Sequence, residues 1–453
     1  MQGGLLSAGP FYRNSGDMMW PVDCIEAKRD GKVLPAEAIF RFINDYTCGR
    51  IADYQAAAWL MAVYLRGMND AETAALTRAM AESGDTVDLS PVGGIKVDKH
   101  STGGIADTTT LVVAPLVAAA GVKVAKMSGR GLGFTGGTID KLESIPGFRT
   151  VLGKDEFFRQ VNDLGIAVIG QSADLAPADK LLYALRDATG TIESIPLIAA
   201  SIMSKKLAAG ADAIILDVKY GDGAFMKTVE KAKELAQTMV RTGKAAGRPT
   251  TAVITSMNAP LGMSIGNSLE VDEAVSALSG RGGRRLMEVV QEIGAQMLMA
   301  AGKAASVTAG KAALNRLIKN GAGLEKFRRF VAAQGGDTAW IGVRPLTRAE
   351  KTYTVRAEVS GYITAVKSEE LGRIAMESGA GRAKKEDTID YHVGIALHKE
   401  LYDFVAAGGP LCTLYLKDNA DGDASGRRCL ACFETADELP PEREPVVAAV
   451  VTE

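Results

Sequence analysis

Lys99, His100, Ser101, Gly103 and Gly104 stand together in Val97-Asp-Lys-His-Ser-Thr-Gly-Gly104, between a β-branched run and Thr108-Thr-Thr-Leu-Val-Val-Ala, which reads as a helix start. A strand, a polar glycine loop and a helix amino end make an anion site. Glycines let backbone N–H groups converge, hydroxyls add donors, and the helix dipole favours negative charge. Lys99 adds a full charge; the plainer alternative is a tight turn capped by Ser101. Ser128-Gly-Arg-Gly-Leu-Gly-Phe-Thr-Gly-Gly-Thr138 repeats the pattern after the run ending at Met127, with five glycines in eleven residues. In regular structure each glycine costs about 0.5–1 kcal/mol relative to alanine, so such a loop belongs where the backbone approaches something closely. Neither loop has the P-loop spacing or the dinucleotide G-x-G-x-x-G spacing, so chemistry alone stops at a phosphate cradle. A third stretch runs from Tyr183-Ala-Leu-Arg-Asp187 to Ile195-Pro-Leu-Ile-Ala-Ala-Ser-Ile-Met-Ser-Lys-Lys206. Ser201 and Lys205, four apart, share a helix face. With Arg186 they offer donors to a flat group rich in acceptors, or else form a solvated basic helix end.

These residues need elements to hold them. Apolar residues at spacings of three and four predict helices over 36–46 and 53–65, and an acidic first turn opens another at Asp70. The pattern then changes to short β-branched runs at 95–98, 123–127, 166–169, 213–219 and 250–255, separated by helical stretches such as 111–120 and 229–246. Strands alternating with helices predict a largely parallel α/β sheet with ligand loops at the carboxyl ends of its strands. From about Lys351, alternation with turn punctuation, including Ser360-Gly-Tyr362, predicts a small β-rich domain similar to the sandwich barrels of biotinyl and lipoyl carriers, though without a Met-Lys acceptor.

Lys99-His-Ser-Thr-Gly-Gly, the Ser128–Glu143 glycine loop, Tyr183-Ala-Leu-Arg-Asp, Ser194-Ile-Pro-Leu-Ile and Asp217-Val-Lys-x-Gly-x-Gly-Ala-Phe-Met226 together resemble the pyrimidine-nucleoside phosphorylase and thymidine phosphorylase family, over nearly the whole chain from Met19. The resemblance implies a small helical domain (19–83 and 175–210) hinged to a large α/β domain with a mostly parallel sheet (84–174 and 211–345). A C-terminal α+β domain (346–453) and a homodimer complete the picture. Residues 1–18 form an extension, the family start matching Met18 or Met19. The implied reaction is phosphorolysis of a pyrimidine nucleoside to free base and α-(deoxy)ribose 1-phosphate, with inorganic phosphate as co-substrate, no organic cofactor and no covalent enzyme intermediate. Phosphate contacts carry over to Lys99, Ser101, Thr110, Ser128 and Thr138, and base contacts to Tyr183, Arg186, Ser201 and Lys205. His100, Arg186 and Lys205 are the implied catalytic groups. K+ or another monovalent cation is implied at Thr108 and Glu273, with carbonyls near Leu261 and Ser264.

The chain departs from the family pattern at Phe134, where His is usual before Thr135; this points to an altered sugar preference. Ala106 replaces a usual Gly, Gly190 a usual Ala, and Tyr220 and Asp222 replace small or neutral residues, Asp222 threatening to repel phosphate. Two other readings are a nucleoside-binding paralogue with weakened catalysis and an anthranilate-phosphoribosyltransferase-like glycosyl transfer. The latter needs a diphosphate–metal site with paired acids after the loop, which is not found.

Composition frames all this. The 453 residues, 47% hydrophobic and 23% charged, suit a folded protein of several domains. With 52 basic and 54 acidic side chains and a net charge of −2, no global field draws nucleic acid or an anionic membrane, so an anion must be held locally. No apolar run is long enough for a membrane span, and the first 18 residues lack signal-peptide character. Five scattered cysteines, with Cys429 and Cys432 in C-x-x-C spacing but no second pair, are read as free thiols of a cytoplasmic protein.

Overall fold

A computed structural model describes residues 19–453 apart from positions 132, 173 and 385. The expected extension and the Met18 start lie outside the described residues. Helices α1 (Pro21–Arg29), α2 (Ala36–Thr47), α3 (Asp53–Arg66) and α4 (Asp70–Ala81) come first. On α2, Ile39, Phe42, Ile43 and Tyr46 form one buried stripe, the i, i+3, i+4, i+7 repeat of an amphipathic helix. Asn69 caps α4 by accepting from the Glu72 amide, and Glu72 reaches back to the Asn69 amide. The same buried Glu72 pairs with Lys28 at 2.7 Å, tying α1 to α4.

Strand and helix then alternate through β1 (Val97–Ser101), α5 (Thr109–Ala119), β2 (Val124–Ser128), α6 (Thr138–Glu143), α7 (Lys154–Leu164) and β3 (Ile166–Gly170). Two helices, α8 (Pro177–Thr189) and α9 (Ile195–Ala208), return to the N-terminal helices. The alternation resumes with β4 (Ala213–Tyr220), α10 (Val229–Ala245), β5 (Thr250–Ser256), β6 (Ser264–Ile265), α11 (Asn267–Leu278), α12 (Arg284–Ala300), α13 (Val307–Lys319) and α14 (Ala322–Ala333). Strands β1, β4 and β5 pair in parallel, as do β2 and β3, and a parallel bridge from Lys96 to Lys123 sets the two groups side by side. Every residue of β4 is buried, as its nearly unbroken apolar run requires of a central parallel strand. The apolar faces of α5, α11, α12 and α14 fill one side of the sheet, while α9 and α10 cover β4 and β5 on the other.

The C-terminal region contains β7 (Lys351–Arg356), β8 (Gly361–Val366), α15 (Ser368–Ala375), β9 (Gly394–Leu397), β10 (Phe404–Val405), β11 (Pro410–Leu416), α16 (Gly422–Leu430) and β12 (Phe433–Ala436). Its two antiparallel sheets, β6-β9-β11-β7 and β10-β8-β12, enclose a separate core. Two strands cross the expected boundary near 345. β6, from the preceding α/β stretch, pairs with β9, whereas the last strand, β13 (Val447–Val451), runs antiparallel to β5 and adds an edge to the α/β sheet. Alternating apolarity cannot say which sheet a strand joins, because it reports burial and not partner. Cys412, Cys429 and Cys432 are buried in the C-terminal core, and among the described residues no group of three or more His, Cys, Asp or Glu could hold a metal. Burial pushes the Cys432 thiol up to about 12, the behaviour of a packing group.

The helical and α/β parts are joined by three chain passages that touch one another. Asp85 donates its amide to the Asp174 carbonyl at 2.9 Å, and Val87 donates to the Ala208 carbonyl at 2.7 Å. Gly210 takes a left-handed φ of +80°, and a Cβ there would overlap the Val87 carbonyl. Gly210→Ala is therefore expected to cost about 2 kcal/mol or more, lowering the midpoint of thermal unfolding; an unchanged midpoint would show that the crossing is free to relax.

Candidate active site

The carboxyl ends of β1 and β2 open onto a cleft of about 360 Å³, whose far wall is built from α8 and α9. From the strand side come His100, Ser101, Gly103, Gly104, Thr110, Ser128 and, from the glycine loop, residues 129–131 and 135–138; from the helices come Tyr183, Arg186, Ser201 and Lys205. The two loops and the third stretch, far apart in the chain, thus meet in one cavity. The glycine loop turns so tightly that a Cβ on Gly137 would overlap the Gly131 amide, and that amide donates to Asp140 at 2.7 Å.

On the helical wall, Lys205 sits 3.3 Å from the Ser201 hydroxyl, the contact expected of an i, i+4 pair, and 2.6 Å from Asp179. Asp179, Tyr183 and Arg186 occupy one face of α8 at i, i+4 and i+7. Arg186 is almost fully buried and donates to the carbonyls of Thr191, Ile192 and Leu197. One hydrogen on each terminal guanidinium nitrogen remains for a ligand. Arg186 therefore also braces the turn between α8 and α9, a structural duty its place in the motif does not reveal. Burial lowers the His100 imidazole well below its ordinary value, and Lys206, Lys126, Lys205 and Lys99 around it add to the effect. His100 is neutral at neutral pH and can donate only one ring N–H.

On the strand side, Ser101 donates to Asp107 at 2.6 Å. Burial would raise the Asp107 carboxyl, but Lys219, Lys99 and Lys141 hold it well below its usual range. Asp107, Lys126 and Lys141 line the cleft and were not singled out from the sequence. Lys126 was legible, since it precedes Ser128 by two and alternate strand residues share a face. Its amine is pushed down to about 8, chiefly by burial and against the pull of Asp98. Asp179 was legible from its helical spacing to Tyr183. Asp107 and Lys141 have no such signal, because loop geometry and a one-turn helix carry them in.

The geometry has counterparts among known proteins. Residues 22–84 match the glycosyl transferase family helical bundle domain, 93–324 the a/b domain of that family, and 362–435 the pyrimidine nucleoside phosphorylase C-terminal domain. A pyrimidine-nucleoside phosphorylase of Bacillus subtilis (strain 168) is 56% identical over 402 residues, covering 88% of this chain and 93% of that protein. One of Staphylococcus haemolyticus is 54% identical over 403 residues, with the same coverage. The chain belongs to the pyrimidine-nucleoside phosphorylase family. An anthranilate phosphoribosyltransferase from Thermus thermophilus superposes with a TM-score of 0.57 at 21% identity, over 69% of this chain and 99% of that one, a likeness of fold alone.

Within this phosphorylase framework, several expected residues sit elsewhere than on the cleft wall. Lys99 lies behind it, with Nζ 3.3 Å from Asp217 and 3.5 Å from the Thr110 hydroxyl, because a buried ammonium takes the nearest carboxylate. Phe134 does not face the cleft either. Its ring packs against the C-terminal core beside Ile105, with the Arg373 guanidinium 5.6 Å from its centroid, since an apolar ring gains more there than beside a polar cradle. Asp222 does not threaten an anion. It is exposed and accepts the Glu369 amide at the start of α15. Gly190 closes α8 in the left-handed conformation, where glycine is the favoured residue. Ala106 holds a φ of +55°, a strain of about 1–2 kcal/mol for a residue with a Cβ.

Thr108 and Glu273 are both buried, 3.4 Å apart, with Thr108 also 3.3 Å from Glu270. Segment 261–264 lies against them, and the Met263 amide donates to Glu273 at 2.6 Å. Burial, with Glu270 adding to it, pushes the Glu273 carboxyl up to about 8 despite the amide bonds. The folded protein therefore keeps a proton that an unfolded chain releases near pH 4.5, so Glu273 makes stability fall as pH rises from about 4.5 to 8. Glu273→Gln is expected to flatten that fall. Denaturant midpoints between pH 5 and 8 decide it, and parallel profiles for the two proteins would sink the assignment.

Proposed function

We propose that the cleft carries out phosphorolysis of pyrimidine nucleosides, phosphate attacking C1′ from the side opposite the base. The observation that carries this reading is one cavity holding two glycine-rich anion loops against a helical wall that bears Ser201, Lys205 and Arg186. Ser101, Thr110, Ser128 and Thr138 hold the phosphate, with Lys99 acting from behind them. Tyr183, Ser201, Arg186 and Lys205 hold the base. As the glycosidic bond breaks, positive charge develops on the sugar and negative charge on the pyrimidine. Lys205 and Arg186 stabilise the leaving base as charged donors, and His100 as a neutral one. The helical unit, 19–83 with 175–210, closes on the α/β unit about the three touching passages, bringing base and phosphate together.

The altered sugar preference inferred from Phe134 draws no support from a ring that faces the C-terminal domain. A panel of ribo-, deoxyribo- and sugar-modified pyrimidine nucleosides, with and without phosphate, tests the whole reading: phosphate-dependent base release supports it, and binding without release would make the protein a sensor. Lys205→Ala, alone and with Asp179→Asn so that no unpaired carboxylate is left buried, is expected to lower kcat/KM about 10²- to 10³-fold. A folded variant of near-normal rate would remove Lys205 from the mechanism.

Thr108, Glu273 and the 261–264 backbone suit a bound monovalent cation such as K+, because a charge of that sign would keep the buried Glu273 carboxylate ionised. Its effect is electrostatic support of the loop above. Potassium is expected to lessen the stability loss toward pH 8 in the wild type and not in Glu273→Gln.

A homodimer is supported by α3, where Tyr54, Ala58, Met61 and Leu65 form an exposed stripe at spacings of four, three and four. Leu65→Glu is expected to halve the mass found by sedimentation, whereas a monomeric wild type would overturn the assignment. Among the described residues no helix is long and apolar enough to cross a membrane, and the reduced cysteines suit a cytoplasmic place.

A further inference from the structure

No described residue beyond Leu235 lines the cleft, yet the segment 221–227, which brings Phe225 and Met226 to it, is fastened to the C-terminal region at two points. At one, the Glu444 carboxylate accepts from the Tyr220 hydroxyl at 2.7 Å, Ser256 at 3.0 Å and the Asn258 amide at 2.9 Å. Asn258 in turn accepts the Asp222 amide at 3.0 Å. At the other, Asp222 Oδ2 accepts the Glu369 amide at 2.9 Å, while Lys227 spans from the Asp222 carbonyl to the Glu369 carboxylate. Between these points the loop closes on itself, with Gly221 donating to the Met226 carbonyl and Gly223 to the Met257 carbonyl. Met226 packs in the apolar cluster that contains Leu235 and takes in Ile198 and Ile202, on the helix that bears Ser201 and Lys205. Phe225 stands beside it, lining the cleft with about half of its surface exposed. Tyr220 and Asp222, two of the departures from the family pattern, take part in these fastenings.

We propose that the C-terminal domain sets pyrimidine affinity from a distance, Tyr220 and Asp222 acting as positioning residues that hold Phe225 and Met226 against the base. The inference rests on the base lying on the helical side of the cleft, as in the reading above. Because neither residue reaches the phosphate loops, the effect falls on one substrate only. Net hydrogen-bond contributions set its size: Tyr220→Phe and Asp222→Ala are each expected to raise the nucleoside KM and the Kd of the free base, by calorimetry, about fivefold, with the phosphate KM unchanged. In a Phe225→Ala background the same substitutions are expected to add clearly less than in the wild type, only the Met226 share remaining, which a merely structural weakening would not produce. Glu444→Gln, which keeps an acceptor, is expected to retain most of the affinity.

Unchanged base affinity in folded variants, an equal rise in the phosphate KM, or full additivity with Phe225→Ala would each overturn the proposal. Hydrogen exchange at the Gly221 and Gly223 amides reads the fastening without any ligand. Faster exchange in Tyr220→Phe supports it and unaltered exchange refutes it. A wild type that neither binds a pyrimidine nor turns one over would instead refute the assigned function, so the two failures remain distinct.

Discussion

Six lysines, Lys99, Lys126, Lys141, Lys205, Lys206 and Lys219, converge below and around the cleft, and each is held by a carboxylate of the protein: Asp217, Asp98, Glu270, Asp179, Asp98 and Asp217 respectively. Five of the six are almost wholly buried. Burying an ammonium costs several kcal/mol unless a partner and further hydrogen bonds repay it, and removing one partner leaves the other charge stranded. That constraint links the strands through specific pairs: Asp98 on β1 bridges Lys126 on β2 and Lys206 on α9, and Asp217 on β4 takes Lys99 from β1. The carboxylates that hold the lysines in place cancel most of their charge, leaving a local field fixed in direction before any anion arrives.

The same economy governs the glycine loop. With its own backbone packed at Gly131 and Gly137, the loop cannot be braced from within by side chains. It is held instead through neighbouring segments: its one charged side chain, Arg130, and the distant Arg382 both pair with Asp140 on α6, and the Gly133 amide donates to the Arg382 carbonyl. Arg382 and the Phe134 contact both lead to the C-terminal domain, so a domain whose described residues contribute no group to the cleft supports both of its halves.

Much of this was legible in the sequence. The parallel strands stood out because buried central strands are unbroken apolar runs, and the loops because glycine and hydroxyl residues clustered right after them. The pairing of Ser201 with Lys205 follows from helical spacing. What escaped were relations fixed by tertiary contact: β13 joining β5, Arg186 bracing its own turn, Lys99 lying behind the wall and Phe134 turning away from it. In each case the residue type was compatible with two environments, and only the position of a distant segment chose between them. The Asp222 carboxylate shows this well, being a hazard to phosphate when read along the chain and a helix-capping acceptor once α15 is seen beside it.

Helix α9 carries the last step. It contributes Leu197 and Ala200 to the core of the N-terminal helices and Ala199 and Met203 to the core around β4 and α10, so it belongs to neither unit alone. Successive residues on a helix point about 100° apart, and here that rotation separates two neighbouring lysines by role. Lys205 turns toward α8 and the cleft, whereas Lys206 turns toward the sheet, 2.8 Å from Asp98 and near the Met127 carbonyl. The buried Lys206–Asp98 pair, being expensive to break, fixes α9 to the sheet one residue from Lys205, the lysine that faces the cleft.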